Sequence, residues 1–483
     1  MPGLIGGPLG CLGVAMLLAG RTARVRVAGL ALVGAGAALL GAQIAPGSHS
    51  TAVAFAVLAS VLAGVPVGYA LRRWPWALAF LVLPMVPARI AFTVDGTHSQ
   101  LELPLYILAV GAGVQIVLET IGGDRRTREL GPMALPLAAY VLWTGVSLVW
   151  SNDLRAGSFE LIAYFLPFAV IAVGIARLPW SRRALKLLLV ELVGLALTFA
   201  AIGYYQYETR NLFWNPKLRV GNAYLPVYRV NSVFWDPSIY GRFLMVAIVA
   251  ALVVVVKGQS KQLKLAAAVA LSAIWVGLLL SYSQSSFAGL IVAIVALMFV
   301  VWRRAALLSA ALVAVLLIST GVANPNIQNA LLKRSSAALN RATSDRAGLI
   351  YNGLRVAIDH PVVGTGVGGF RHQYADLTHL KGKEPKKAAS HDTPVTVVAE
   401  GGVIGLGLFV WTLVAVVLAL TRAGGDAFGR RVVLAVGLSL VAISVHSLFY
   451  DHFFEDPTTW GLLGLAGLAY ATRGGTRVTP REA

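Results

Sequence analysis

Residues 238–256, SIYGRFLMVAIVAALVVVV, decide the fold class. Only Arg242 is charged in a run long enough to cross about 30 Å of hydrocarbon as a helix. Similar runs recur along all 483 residues, of which 57% are hydrophobic and 13% charged, with mean hydropathy +0.74. The runs do not alternate apolar and polar residues, which excludes the strands of a membrane β-barrel. The chain therefore reads as an all-α polytopic membrane protein. About fifteen spans are expected, near 4–20, 27–45, 52–71, 75–93, 103–120, 133–150, 158–176, 184–205, 238–256, 264–282, 286–302, 305–322, 394–420, 432–449 and 458–472.

The loops between these runs alternate in charge. Arg21/Arg24/Arg26, Arg72/Arg73, Arg125/Arg126/Arg128, Arg182/Arg183, Lys257/Lys261/Lys264, Arg303/Arg304, Arg422/Arg430/Arg431 and the tail from Arg473 form one set. The loops near Ser48, Asp95, Asn152, Asn211, Ser283, Asn324 and Asp451 form the other and are less basic where short. The positive-inside rule puts the basic set in the cytoplasm, the C-terminus inside, and the long loops 206–237 and 323–393 outside. The net charge of +19 is thus a topology signal and not a nucleic-acid footprint. The run at 4–20 lacks the basic flank of a cleavable signal and is kept as a span. Cys11 is the single cysteine, so no internal disulfide forms and redox chemistry has no basis.

The expected organisation is three accessory spans in 1–73, a core in 74–322 carrying the outer loop 206–237, an extracytoplasmic catalytic loop in 323–393, further spans in 394–473, and a cytoplasmic tail at 474–483. Loops of such length are uncommon unless functional or disordered. The longest one holds SDRAGLIYNGLRVAIDHPVVGTGVGGF (344–370) and runs into SHDTPVTVVAEGGVIGLGLF (390–409). Ser344 to Asp359 has helical period, with Ala347, Ile350, Tyr351, Leu354, Ala357 and Ile358 on one face. Ser344 suits its N-cap and Asp345 its first turn, and the helix is expected to lie in the membrane interface. Arg346, at the edge of the apolar arc, either reaches a phosphate or anchors the helix by snorkelling. Gly364–Gly369 matches G-x-G-x-x-G, but no strand–helix unit is available beside a membrane. It reads as a flexible turn after Pro361 whose N–H groups could meet an anion. His391 stands at the mouth of a span, where an imidazole can take a proton from a hydroxyl or simply pack.

These motifs resemble, in order and in side of the membrane, the O-antigen ligase and polymerase family. The likeness rests on Arg346, the Asp359–Gly366 turn, His391, the Glu400–Gly405 run, and Arg229-Val-Asn-Ser-Val-Phe-Trp-Asp-Pro-Ser at the entry to a span, covering roughly 224–408. Three spans after the His loop fit the family, as do the twelve left when the first three are removed. The resemblance implies a metal-independent, cofactor-free glycosyltransferase, multi-pass in the cytoplasmic membrane. Its implied partners are a polyprenyl-diphosphate-linked glycan donor, a glycan or lipid acceptor and membrane lipids, with no nucleic acid. Arg346 and Arg229, with Arg242 as a further candidate, would hold the diphosphate, since guanidinium offers a permanent, bidentate cation. His391 would be the base for the acceptor hydroxyl. The chain departs from the family in having Ser283-Gln284-Ser285 where Ser-Arg-Gly is common, a cation Arg229 would replace, and Asp392 where Asn usually follows the His.

Other ionisable groups invite the same questions. Arg89 and Glu191 lie inside apolar runs, where a mutual ion pair is expected. His446, Asp451, His452, Glu455 and Asp456 are expected to form a solvated loop bordering the catalytic cavity, with divalent binding as the rival. Trp214, Phe234 and Trp235 either stack on sugars or anchor the interface. Lys381, Lys383, Lys386 and Lys387 would meet an anionic glycan or head groups. The alternative function is a transporter of a small anion or lipid-linked glycan, but no internal repeat supports it.

Overall fold

Helices start in this chain where a short polar residue can accept a bond from the first free N–H groups. Ser181, Asp236, Ser260, Asp392 and Asp426 each accept from a backbone N–H two or three residues on, and Pro237 and Pro394 follow two of them in the first turn. The computed structural model describes residues 2–45, 50–94, 97–224, 227–302, 346–379 and 390–471. The elements are α1 (Pro2–Ala19), α2 (Ala23–Ile44), α3 (Ser50–Arg73), α4 (Ala77–Met85), β1 (Ile90–Val94), β2 (Thr97–Leu101), α5 (Leu103–Ile121), α6 (Ala134–Ser147), α7 (Leu154–Glu160), α8 (Leu166–Arg177), α9 (Arg182–Thr209), α10 (Pro216–Tyr224), α11 (Pro237–Lys257), α12 (Lys261–Ser281), α13 (Gln284–Trp302), α14 (Arg346–Asp359), α15 (Phe370–Thr378), α16 (Thr393–Thr421), α17 (Ala427–His446) and α18 (Pro457–Ala471).

Among the described residues, 12 helices are long and apolar enough to cross a membrane, and the fold is that of an all-α polytopic membrane protein. These helices coincide with twelve of the expected spans. The run at 305–322 lies outside the described residues, as do the Ser344 cap, the four loop lysines and the tail. The last expected span is the 15-residue α18. The expectation for 75–93 is corrected. Pro84 lies near the end of the 9-residue α4 and Pro87 follows it, each lacking the N–H a helix needs, and the β-branched and aromatic residues beyond pair as an antiparallel hairpin, Ile90 opposite Leu101.

Hydrogen bonds join the loops in the alternation expected from charge. At one end, Arg26 meets Glu129 at 2.7 Å, and Arg177 meets Glu119, Asp124 and Glu129 at 2.9, 2.8 and 2.5 Å. At the other, Arg229 Nε donates to the Ser281 carbonyl at 3.2 Å and Thr393 N to that of Ser447 at 2.9 Å. α1 packs on α2 so closely that a Cβ on Gly36 would stand 2.3 Å from the Gly10 Cα, a small-residue crossing suited to apolar surroundings. α11 is buried on nearly every side, which puts Arg242 in the interior.

Candidate functional site

The glycine turn and the Glu400–Gly405 run form one unit. Gly402 has φ 65° and ψ −167°, which breaks the helical bonding of α16 there. The carbonyls freed at the kink are taken up from outside the helix. Thr365 N donates to Ala399 O and Gly366 N to Glu400 O, both at 2.9 Å, while Trp143 Nε1 donates to Gly401 O at 2.9 Å. Val403 N, beyond the kink, finds Pro361 O at 2.9 Å. A Cβ on Gly364 would lie 2.3 Å from the Glu400 carbonyl, so only glycine allows this approach.

The expectation that the turn offers N–H groups to an anion is thereby corrected. Besides the two donors above, Gly364 N bonds His360 O at 3.1 Å, Val367 N bonds Ser147 Oγ at 3.1 Å, and Phe370 N bonds the Glu400 carboxylate at 3.2 Å. The turn is a clamp that fastens the α14–α15 segment to α6 and α16.

α14 is helical as expected, and it buries Leu349, Gly353, Val356 and Ala357 against α15 and α16. Of the expected apolar arc, Tyr351, Leu354 and Ile358 are exposed, so the helix carries a second apolar face away from the protein. Its first residue, Arg346, is half-buried and lies within the electrostatic reach of Arg229. Burial, and then the Arg229 charge, pulls the Arg346 guanidinium below its ordinary value. Neither Arg229 nor Arg346 forms an ion pair with a carboxylate among the described residues. Arg242 is different: it is 2% exposed and pairs with Asp456 at 2.5 Å, while also donating to His452 O at 2.9 Å.

His391 takes a left-handed backbone, φ 58°, uncommon for a residue with a Cβ. Asp392, its neighbour, spends its carboxylate on the α16 cap, accepting from Val395 N at 2.9 Å, and burial raises its pKa. Two residues further, Thr393 lines a cavity of about 660 Å³ among α6, α7, α15, α16 and the 451–455 loop. Its walls carry Glu160, Glu400, Asp451 and Glu455 with Tyr140, Trp143, Phe159 and Phe454 among the aromatic rings. Burial, and then the Glu455 charge, pushes Asp451 up to about 6. None of Arg229, Arg242, Arg346 or His391 lines this cavity.

The other expected groups sort by partner. Arg89 pairs with Glu102 at 2.6 Å and not with Glu191, because the chain turns into the hairpin after α4. The 446–456 group is divided: His446 is fully buried, with Nε2 3.0 Å from Ser285 Oγ, Asp456 is taken by Arg242, and Asp451, His452 and Glu455 face the cavity. No three of its members are arranged to hold a metal among the described residues. Phe234 is buried against Phe199 and Phe243, out of reach of a sugar, whereas Trp214 and Trp235 line a second cavity of about 450 Å³ beside Arg89. Sequence reasoning passed over Glu160. The rule that singles out Arg89 and Glu191, a charge within an apolar run, applies to it equally.

Residues 265–410 match the family model described as O-antigen ligase, which bears out the resemblance over the stretch holding Arg346, the glycine turn, His391 and Glu400. Arg229 and Arg242 lie outside the match. It supports the role of a membrane glycosyltransferase-type ligase or polymerase in polysaccharide biosynthesis. No curated protein matches the chain.

Proposed function

We propose that the chain transfers a glycan from a polyprenyl diphosphate to an acceptor hydroxyl on the outer face of the cytoplasmic membrane, without a metal. The observation that carries this reading is that Arg346 lies within the electrostatic reach of Arg229 while neither forms an ion pair with a carboxylate among the described residues, in a chain whose matched stretch also contains His391. Two like charges held together at a poorly hydrated boundary call for an anion, and a diphosphate has the charge and the oxygens for two guanidiniums. His391 accepts the proton of the acceptor hydroxyl. The oxygen then bonds to the anomeric carbon of the donor sugar, and the carbon–oxygen bond to the diphosphate breaks with its electron pair on the leaving group. The two arginines stabilise the charge that gathers there. The long loop, the donor and the acceptor meet on the outside because the basic loops, joined at the other end, favour the cytoplasm.

The test is transfer by the purified, reconstituted protein from a lipid-linked oligosaccharide. His391→Ala is expected to lower the rate about 10²–10⁴-fold, the usual cost of losing a positioned base. His391→Asn keeps a residue that tolerates the left-handed backbone but cannot take the proton, so it stays inactive. Wild-type turnover in either variant would remove the imidazole from the mechanism.

A further inference from the structure

The cavity among α6, α7, α15 and α16 is not used by the donor arginines or by His391. Its about 660 Å³ falls in the range of sites for small ligands. Its lining combines carboxylates with aromatic rings, and the carboxylates lie close enough for their charges to interact. Glu400 is occupied, accepting from Phe370 N at 3.2 Å, and Asp451 accepts from the Thr396 hydroxyl. The Glu160 carboxylate has neither a hydrogen bond nor an ion pair among the described residues. It ends α7, where the chain passes into a turn of π-helix, Leu161–Phe165, an irregularity common at functional sites.

A fold does not gather carboxylates in a hydrophobic bundle for stability, because each resists the ionisation of the others. A ligand rich in hydroxyl donors and in C–H faces meets the demands of this wall: hydroxyls donate to the carboxylates, and ring faces pack on Trp143 and Phe159. A diphosphate is repelled here, and a metal has no arranged ligand set among the described residues. Arg155 and Arg371 also line the cavity, but Asp153 joins the four carboxylates above, so acidic side chains predominate.

We propose that this cavity binds a saccharide of the acceptor, with Glu160 accepting hydrogen bonds from its hydroxyls. The assignment rests on the glycan-transfer reading above. A sugar held here extends past Thr393, which lines the cavity two residues from His391, so its reactive hydroxyl arrives from the carboxylate side while the diphosphate is held at the arginines. Glu160 is a binding residue in this account, not the base.

Two measurements on the full-length protein test it. The first is binding of end-labelled oligosaccharides released by mild acid from the producing cell's surface glycoconjugate, which carry neither lipid nor diphosphate. Glu160→Gln is expected to weaken binding at least about tenfold, because the amide keeps one acceptor oxygen where the carboxyl group offers two. The same substitution is expected to raise the thermal midpoint by relieving repulsion, which a merely structural Glu160 would not do. Unchanged binding, or a lowered midpoint, overturns the assignment, as does a wild-type protein that transfers glycan yet binds no free saccharide. The second is steady-state transfer. An acceptor KM raised about tenfold with donor KM unchanged supports the acceptor assignment, and the reverse pattern puts the donor's glycan in the cavity and overturns it. A wild-type protein that transfers nothing from a lipid-linked donor refutes the underlying glycosyltransferase reading, an outcome distinct from loss of saccharide binding alone.

Discussion

Replacing Gly402 by Ala tests the clamp on which the site's geometry depends. The residue's φ of 65° and ψ of −167° fall in a region close to exclusive to glycine, so any side chain costs about 1–3 kcal/mol in backbone strain. The added Cβ would stand 2.1 Å from the Val362 carbonyl oxygen, a distance no side chain tolerates. Relief requires the 361–363 turn to move off α16, and the 2.9 Å bond from Val403 N to Pro361 O goes with it. Val403 and Pro361 are exposed residues, so losing their bond costs about 0.5–1.5 kcal/mol more. The sum is about 3 kcal/mol, at the upper end of what single substitutions usually produce. Gly407, in the same helix with nothing within 4 Å of a Cβ, is the control, and Ala there is expected to be neutral or stabilising by up to about 1 kcal/mol. The molecule supplies its own reporter. Cys11 is the single thiol and is fully buried, so a thiol-reactive fluorophore reads global unfolding without further labelling. Gly402→Ala should lower the midpoint by about 3 °C or more, taking roughly 1–2 °C per kcal/mol for a chain somewhat larger than those calibrated. A midpoint within about 1 °C of wild type would show that the kink and turn are not coupled as described.

Arg346→Ala and Arg229→Ala should each raise the donor KM about tenfold or more at unchanged midpoint, with Arg346→Lys recovering part, since a point charge lacks the guanidinium fork; normal donor affinity in both would move the diphosphate elsewhere. Arg242→Ala should instead cost about 3–5 kcal/mol of stability, because it strands Asp456 in the interior. A variant that keeps its midpoint and loses only donor affinity would return Arg242 to the donor site. Asp451, raised from 3.8 to about 6, makes the native state hold a proton the unfolded chain releases near pH 4. Its stabilising contribution is therefore complete below about pH 4 and lost as pH rises through about 6, a fall of about 3 kcal/mol that Asp451→Asn should abolish in midpoint-against-pH curves.

What the sequence made legible follows from which signals are local. Apolar length is local, and so the spans were readable, with charge in the intervening loops giving their alternation. Helical period in 346–359 was likewise visible, although not that Leu349 and Val356, rather than Tyr351 and Ile358, face the protein. That choice depends on α16, a segment some forty residues away. Asp95-Gly96 after a β-branched and aromatic run is a hairpin signal, overridden by the apolarity of residues 75–94. Arg89 was recognised as needing a partner, but the partner's identity depended on where α4 stops. The spacing of Gly364, Gly366 and Gly368 revealed unusual backbone and nothing of its purpose. The carbonyls that occupy their neighbours' N–H groups come from a kink at Gly402 that no local pattern announces.

The segment between α17 and α18 brings the two halves of the proposed reaction into register. His446 bonds Ser285 in the short turn where a cation is common in the family, and it feels the charges of Arg242 and Arg346. Asp456 neutralises Arg242, whereas Arg229 and Arg346 form no ion pair with a carboxylate among the described residues. Between these two positions, Asp451, His452 and Glu455 turn to the cavity, and Asp451 takes the hydroxyl of Thr396 in the first turn of α16. Thr393 N, two residues past His391, is bonded to Ser447 O of the same segment at 2.9 Å. The backbone beside His391 is therefore tied to one short stretch that also pairs Arg242 and turns Asp451, His452 and Glu455 to the cavity. In the proposed reaction donor and acceptor demand opposite electrostatics, and a chain with few charges would meet both by separating them within eleven residues, 446–456.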